Sequence, residues 1–195
     1  MKKIIFSFYA IFLALFTVFS YLFVDYNIPT FNFFYLDFVS SNRGITSAVY
    51  AILVLVFFVF YALFLSFSRK KILIKNDLRI LIIITVSILF FSYPAMLSYD
   101  IFNYIATSKV LFFYHENPYI IMPIEFIGDS LLSFMHAANK AALYGPSWII
   151  LTGVPYLFGS SGFIFTLFSF KLFIVTFYLG TIFLIWKISK NIASV

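Results

Sequence analysis

From Ile45 to Phe67 the chain runs for 23 residues without a charge. As an α-helix such a run is about 34 Å long, enough to cross the ~30 Å hydrocarbon core of a bilayer. A helix that is apolar on every side has no stable place on the surface of a water-soluble domain. Composition extends the argument to the whole chain. Hydrophobic types make up 64% of the 195 residues, aromatic types 24% and charged types 10%, against roughly a quarter charged in soluble domains. That is too little polar surface to clothe a soluble fold of this size. With no cysteine, the chain has neither a disulfide framework nor a thiolate metal site. The formal charge of +6 sits mainly in short runs beside apolar stretches. It reads as a topology signal and not as a nucleic-acid footprint.

Three further stretches have span character. Lys2 and Lys3 precede an apolar run over 4–24. It is longer than a typical ~7–15-residue signal-peptide core and no small-residue cleavage site follows, so it reads as a retained span. A run over 80–98 carries Pro94, which is expected to kink its last turn. The last covers 163–186 and is followed by Lys187 and Lys190. Arg69, Lys70, Lys71, Lys75 and Arg79 oppose Asp77 alone in the connection after 45–67. The positive-inside rule makes that connection cytoplasmic, and the N-terminal lysines with it. Residues 25–44, broken by Pro29 and several Asn and Asp, read as an aromatic loop at the interface.

The stretch 99–162 is the long polar one. It holds Asp100, Glu116, Glu125 and Asp129, four of the seven acids. Within it, 146–158 is apolar but too short to cross, which makes it an interfacial or re-entrant helix. The expected fold is all-α and integral to the membrane. It is a single module over 1–195, with four transmembrane helices, interfacial helices in a large outer loop, and both termini in the cytoplasm of a cell-membrane protein.

Chemistry concentrates in that loop. Asp100 stands beyond the third span, and Asn103 and Tyr104 share its side of a helix at i+3 and i+4. The plain reading is a carboxylate closing a span. Asn117-Pro118-Tyr119 reads as a turn. Tyr144-Gly145-Pro146-Ser147-Trp148 reads as a bend into a helix that Pro146 opens, with Trp148 as an interfacial anchor. Lys171 lies inside the last span, about 12 Å from its outer end. A lysine there costs ~2.5–3.5 kcal/mol on insertion scales. It either snorkels outward or faces the bundle and meets an anion. Glu125 and Asp129 are a conceivable divalent-metal pair, with solvation as the plainer fate. No cofactor or metal is called for.

In this order, Tyr99-Asp100-Ile101-Phe102-Asn103-Tyr104-Ile105, Asn117-Pro118-Tyr119 and Tyr144-Gly145-Pro146-Ser147-Trp148 resemble the first large outer loop of GT-C-type glycosyltransferases. The likeness is greatest to the multi-spanning mannosyltransferases that use polyprenyl-phosphate-mannose. It is best over 93–150. His115 and Ser108 stand where, or near where, that family usually has glycine. The family usually has eight or more spans, so the chain looks like the N-terminal part of such an enzyme.

The resemblance implies that Asp100 is the general base. It would take the proton of an acceptor hydroxyl whose oxygen attacks the anomeric carbon of a lipid-phosphate sugar, with inversion. Phosphate leaves already ionised, so no paired acid is needed, unlike in glycoside hydrolysis. Asn103, Tyr104, Asn117, Pro118 and Tyr119 would position Asp100 or the acceptor. The 144–148 motif would open a surface helix, with Tyr144, Gly145, Pro146 and Trp148 counted among the substrate-binding residues. Lys171 is the first candidate for the phosphate, ahead of Lys109 and Lys140. The implied partners are a polyprenyl-phosphate sugar, a glycan or lipid-linked acceptor at the cell envelope, membrane lipid, and a C-terminal half. The alternative is a non-catalytic multi-span protein packing against a partner. A transporter is disfavoured, because Lys171 is the only clear ionisable residue inside a span.

Overall fold

A computed structural model describes residues 2–28, 30–34, 36–96, 98–160 and 162–192. Pro29, expected to break the 25–44 loop, lies outside the described residues, as do Met1 and the last three positions. The chain is 73% helical, and no strand occurs among the described residues. The helices are α1 (Lys2–Ser20), α2 (Phe38–Ser41), α3 (Arg43–Arg69), α4 (Lys75–Phe90), α5 (Asp100–Phe112), α6 (Pro146–Gly159) and α7 (Phe163–Ile192). Three helical stretches are long and apolar enough to cross a membrane: Lys2–Phe23, Arg43–Arg69 and Phe163–Lys190. Their faces are bare. In the most hydropathic window of Arg43–Arg69, 0% of residues are buried. Such apolar surface has no stable place in water, so these helices point to a membrane protein.

Where one module is expected over 1–195, the chain divides into two compact units. The first holds Met1–Tyr26 and Phe31–Met96. Here α1 and α4 run parallel. Lys2 pairs with Asp77 at 2.5 Å at one end, and Tyr21 Oη donates to the Phe91 carbonyl at 2.8 Å at the other. Between them the Tyr9 and Thr85 hydroxyls lie 3.0 Å apart. Helix α3 runs antiparallel and meets α1 through aromatic rings. Phe6 touches Phe64, Tyr9 touches Phe60 and Phe64, and Phe12 and Phe16 both touch Phe57. Centroid spacings of 4.8–6.0 Å and mostly edge-to-face angles are the favoured geometry for such pairs. The chain reverses between α3 and α4 at Lys71, whose φ is 56°.

Helix α4 differs from the span expected over 80–98. It starts earlier, at Lys75, where Asp77 accepts the Ile74 amide at 3.0 Å. It stops at Phe90, ahead of Pro94, so Pro94 lies beyond the helix and does not kink it. The residue before a proline avoids helical geometry, and the chain leaves the helix early into turns.

The second unit holds Asn27–Thr30 and Leu97–Val195. Its centre is α5, where Phe102, Ile105, Ala106 and Val110 are all buried. This differs from the expectation of helices lying on a surface throughout 99–162. Phe102 packs on Phe134 and Phe163, which ties α5 to the loop before α6 and to the start of α7. Glycines allow α6 its close approach to both neighbours. A Cβ at Gly153 would lie 2.1 Å from the Phe112 ring, and one at Gly159 would lie 2.3 Å from the Thr166 backbone. The Ser108 hydroxyl donates to Thr152 Oγ1 at 3.1 Å inside the α5–α6 seam. The other side of α6 exposes Ile150, Val154, Leu157 and Phe158. An apolar outer face on a 14-residue helix suits a membrane surface better than a crossing.

Candidate functional site

The site grows from the start of α5. Asp100 is the first residue of that helix and not the end of a continued third span. The Ser98 hydroxyl accepts the Asp100 amide at 3.2 Å. A carboxylate in a first turn is favoured by the unpaired amides there. Asn103 and Tyr104 follow one turn later, on the same side as expected.

The second part is the 117–119 turn. The Asn117 side chain accepts the Tyr119 amide at 3.0 Å, and the Asn117 carbonyl accepts from Ile120 and Ile121. Pro118 is buried, and its carbonyl accepts the Ala142 amide at 2.8 Å. Tyr119 Oη donates to the Tyr144 carbonyl at 2.7 Å. Two hydrogen bonds thus fasten this turn to the strip 142–144.

The third part is 144–148. Pro146 is the first residue of α6 and Gly145 its cap, as the sequence predicts. Gly145 has φ −63°, and a Cβ there would meet nothing within 4 Å, so the backbone itself does not require glycine. Tyr144 Oη donates to Asp100 Oδ1 at 3.5 Å, the long edge of a hydrogen bond. The Tyr104 ring lies edge-to-face against Tyr144 at 4.8 Å and Trp148 at 5.3 Å. The Trp148 indole N–H is buried and has no acceptor among the described residues.

Burial and the Asp100 charge both raise these phenols. Burial pushes Tyr144 up to about 12, and the Asp100 charge and Tyr104 add to it. Tyr104 is raised by burial and then by Asp100, although a hydrogen bond with Tyr144 pulls it back. Asp100 thus faces one neutral hydroxyl donor, that of Tyr144. Beside it opens a shallow cleft of ≈ 20 Å³, whose lining includes Asn103, Thr107, Lys140, Ala142 and Tyr144.

Asp100, Asn103, Tyr104, Tyr119, Tyr144 and Trp148 are therefore brought together, with Asn117, Pro118, Gly145 and Pro146 shaping the backbone around them. Lys171 is half-buried on α7 and does not line the cleft, whereas Lys140 does. Thr107 was not singled out from sequence. It lies seven residues after Asp100, about two helical turns, which is the signal that could have found it.

Lys109 belongs to a different cluster. It pairs with Asp129 at 2.7 Å, and Tyr114 Oη donates to the same carboxylate at 3.0 Å. Burial alone would raise Asp129. Its bonds from Lys109, the Leu131 amide and Tyr114 outweigh that and leave it below the usual carboxylate range. Asp129 is thus already satisfied, and Glu125 accepts the Met122 amide at 2.7 Å. No group of three or more metal-ligating side chains occurs among the described residues.

The two positions where the resemblance departs from glycine have clear surroundings. His115 has φ 59°, a left-handed conformation that glycine adopts freely. Ser108 is fully buried against α6, where only a small side chain fits. Comparison with protein-family models, with curated proteins and with solved structures found no match.

Proposed function

We propose that the chain is a membrane glycosyltransferase of GT-C type, or the N-terminal module of one. It would transfer a hexose, with mannose the first candidate, from a polyprenyl-phosphate donor to an acceptor hydroxyl on the outer face. In this reading α4, although only 16 residues long, counts as a fourth span beside the three long apolar helices, and both termini would lie inside. The observation that carries this reading is that three separated motifs meet one another at the start of α5, with one of them reaching its carboxylate. Tyr144 reaches Asp100 across 44 positions, and Tyr119 holds Tyr144 in place. A turn and an interfacial anchor read separately would have no reason to meet there. The left-handed His115 supports the reading as well, since it marks the site of the expected glycine.

In this reading Asp100 removes the acceptor proton as the acceptor oxygen bonds to the anomeric carbon and the bond to the phosphate oxygen breaks. Tyr144, Asn103 and Tyr104 fix the carboxylate and the acceptor. Lys140 lines the cleft beside this chemistry, and Lys171 remains a candidate for the lipid phosphate. The test is Asp100→Asn in the full protein, assayed with a polyprenyl-phosphate sugar. Loss of transfer by 100-fold or more at unchanged expression is expected for a general base. Near-normal transfer would overturn the assignment. The alternative, a non-catalytic protein packing against a partner, draws on the bare apolar faces of α3 and α7. It predicts no transfer by the unaltered protein and co-purification with a second membrane protein.

A further inference from the structure

Between α1 and α3 lies a groove of ≈ 450 Å³. Tyr9 of α1 lines it, with Val54, Phe57, Phe58, Tyr61 and Phe64 of α3. It exists because the two helices meet ring against ring without close backbone approach. The Tyr9 hydroxyl is engaged by Thr85 of α4. Phe58 and Tyr61 are more than half exposed, so the groove opens outward. At the depth of a bilayer, whatever fills it is hydrocarbon or another apolar helix.

Length decides between these two. From Val54 to Phe64 is ten residues of helix, about 15 Å, or half of the ~30 Å hydrocarbon core. A partner helix crossing the membrane would need a seam along the whole thickness. An acyl chain needs the depth of one leaflet.

Charge names the leaflet and the headgroup. Phe64 is five residues, about 7.5 Å, from Arg69 at the end of α3. Lys70, Lys71, Lys75 and Arg79 follow in the connection and the first turns of α4. Lys2 and Lys3 join this end, because Lys2 pairs with Asp77. Asp77 is the only acid within 69–79. Basic clusters at the mouth of a membrane-crossing helix attract anionic headgroups, and a phosphate accepts strong charge-assisted bonds from Lys and Arg.

We propose that this groove binds one acyl chain of an anionic phospholipid whose phosphate is held by the basic residues at the end of α3 and the start of α4. The positive-inside rule puts this lipid in the cytoplasmic leaflet. The site does not depend on sugar transfer.

The test is photolabelling of the purified full chain in phosphatidylcholine vesicles. The probe is phosphatidylglycerol carrying a diazirine in its acyl chain, and the control is phosphatidylcholine with the same label. Labelled peptides are read by mass. Label from phosphatidylglycerol should concentrate on 54–64, at least fivefold above the control, and unlabelled phosphatidylglycerol should displace it. Lys70→Gln with Lys71→Gln should remove most of that excess and bring the label down toward the phosphatidylcholine control. Val54→Trp, which fills the groove from its lining, should lower label on 54–64 while label on α7 stays the same. An unchanged helical circular-dichroism spectrum and an unchanged thermal unfolding midpoint report an intact fold in both variants. Equal labelling by the two probes, even spreading over α3 and α7, or cross-linking of 54–64 to a second copy of the chain would each overturn the proposal.

Discussion

The Tyr144 hydroxyl lies 3.5 Å from Asp100 Oδ1, joining the loop before α6 to the first turn of α5. At that length the bond is weak. Tyr144→Phe is therefore expected to lower transfer only about three- to tenfold, the effect of about 1 kcal/mol. Steady-state rates of this variant beside Asp100→Asn check the order of the two effects. Because Tyr144 is pushed up to about 12, its ionisation should cause no loss of activity between pH 8 and 10.

His115 holds φ 59° just after α5. A non-glycine residue pays roughly 1–2 kcal/mol for that conformation. His115→Gly gives part of this back, because glycine also gains freedom in the unfolded chain. An increase of about 0.5–1 kcal/mol is expected, and His115→Val should fall well below the unaltered protein. Thermal unfolding in detergent measures both.

A side chain at Gly153 collides with the Phe112 ring, 2.1 Å from its nearest carbon. Gly153→Val should cost about 1–3 kcal/mol by overpacking. Combining it with Phe112→Ala should recover part of that loss, because the ring is what blocks the new methyls. A double-mutant cycle on unfolding temperature shows this coupling, and strict additivity would count against the packing seen here.

Asp129 and Lys109 form a largely buried pair at 2.7 Å. Lys109→Met leaves the carboxylate unpaired and should cost about 3 kcal/mol, while adding Asp129→Asn should recover most of it. The pH dependence follows from the signs. Asp129 is below its ordinary value in the fold, so its stabilisation is present above about pH 4 and is lost as pH falls below that. Tyr114 is pushed up to about 12 by burial and by Asp129. Its stabilisation is full below about pH 10 and is lost as pH climbs toward 12. Unfolding midpoints across pH 3–12 should fall at both ends.

The chain has no cysteine, so single cysteines report topology directly. Lys71→Cys should react with an impermeant maleimide only from the cytoplasmic side, and Ser130→Cys only from outside. The reverse pattern would invert the assignment of the candidate site to the outer face.

Much of the first unit was legible before its structure. The 45–67 run forms a long helix because its period is uninterrupted and no Pro or Gly breaks it. The parallel course of α1 and α4 follows from three successive helices that alternate in direction, with α3 antiparallel between them, and the Lys2–Asp77 pair agrees with it. The end of α4 was misjudged because apolar residues continue through 91–98, and hydropathy cannot tell a helix from an apolar turn. The burial of α5 was missed for a related reason. Its sequence mixes Asp, Asn, Thr, Ser and Lys with apolar residues, which suits a surface as well as a seam.

The sequence by itself determined that this chain favours a bilayer, where the basic end of its helices lies, and which short motifs carry polar chemistry. These depend on local composition and spacing, and each is a property of consecutive residues. Only the tertiary structure decided that Tyr119, Tyr144 and Trp148 gather around the helix that begins at Asp100, while Lys109 turns instead to Asp129. It also decided that an apolar groove opens between Tyr9 of α1 and the aromatic face of α3. The reason is that such meetings depend on how bulky rings and small residues set the distance between helices far apart in the chain. No single stretch of sequence contains that distance.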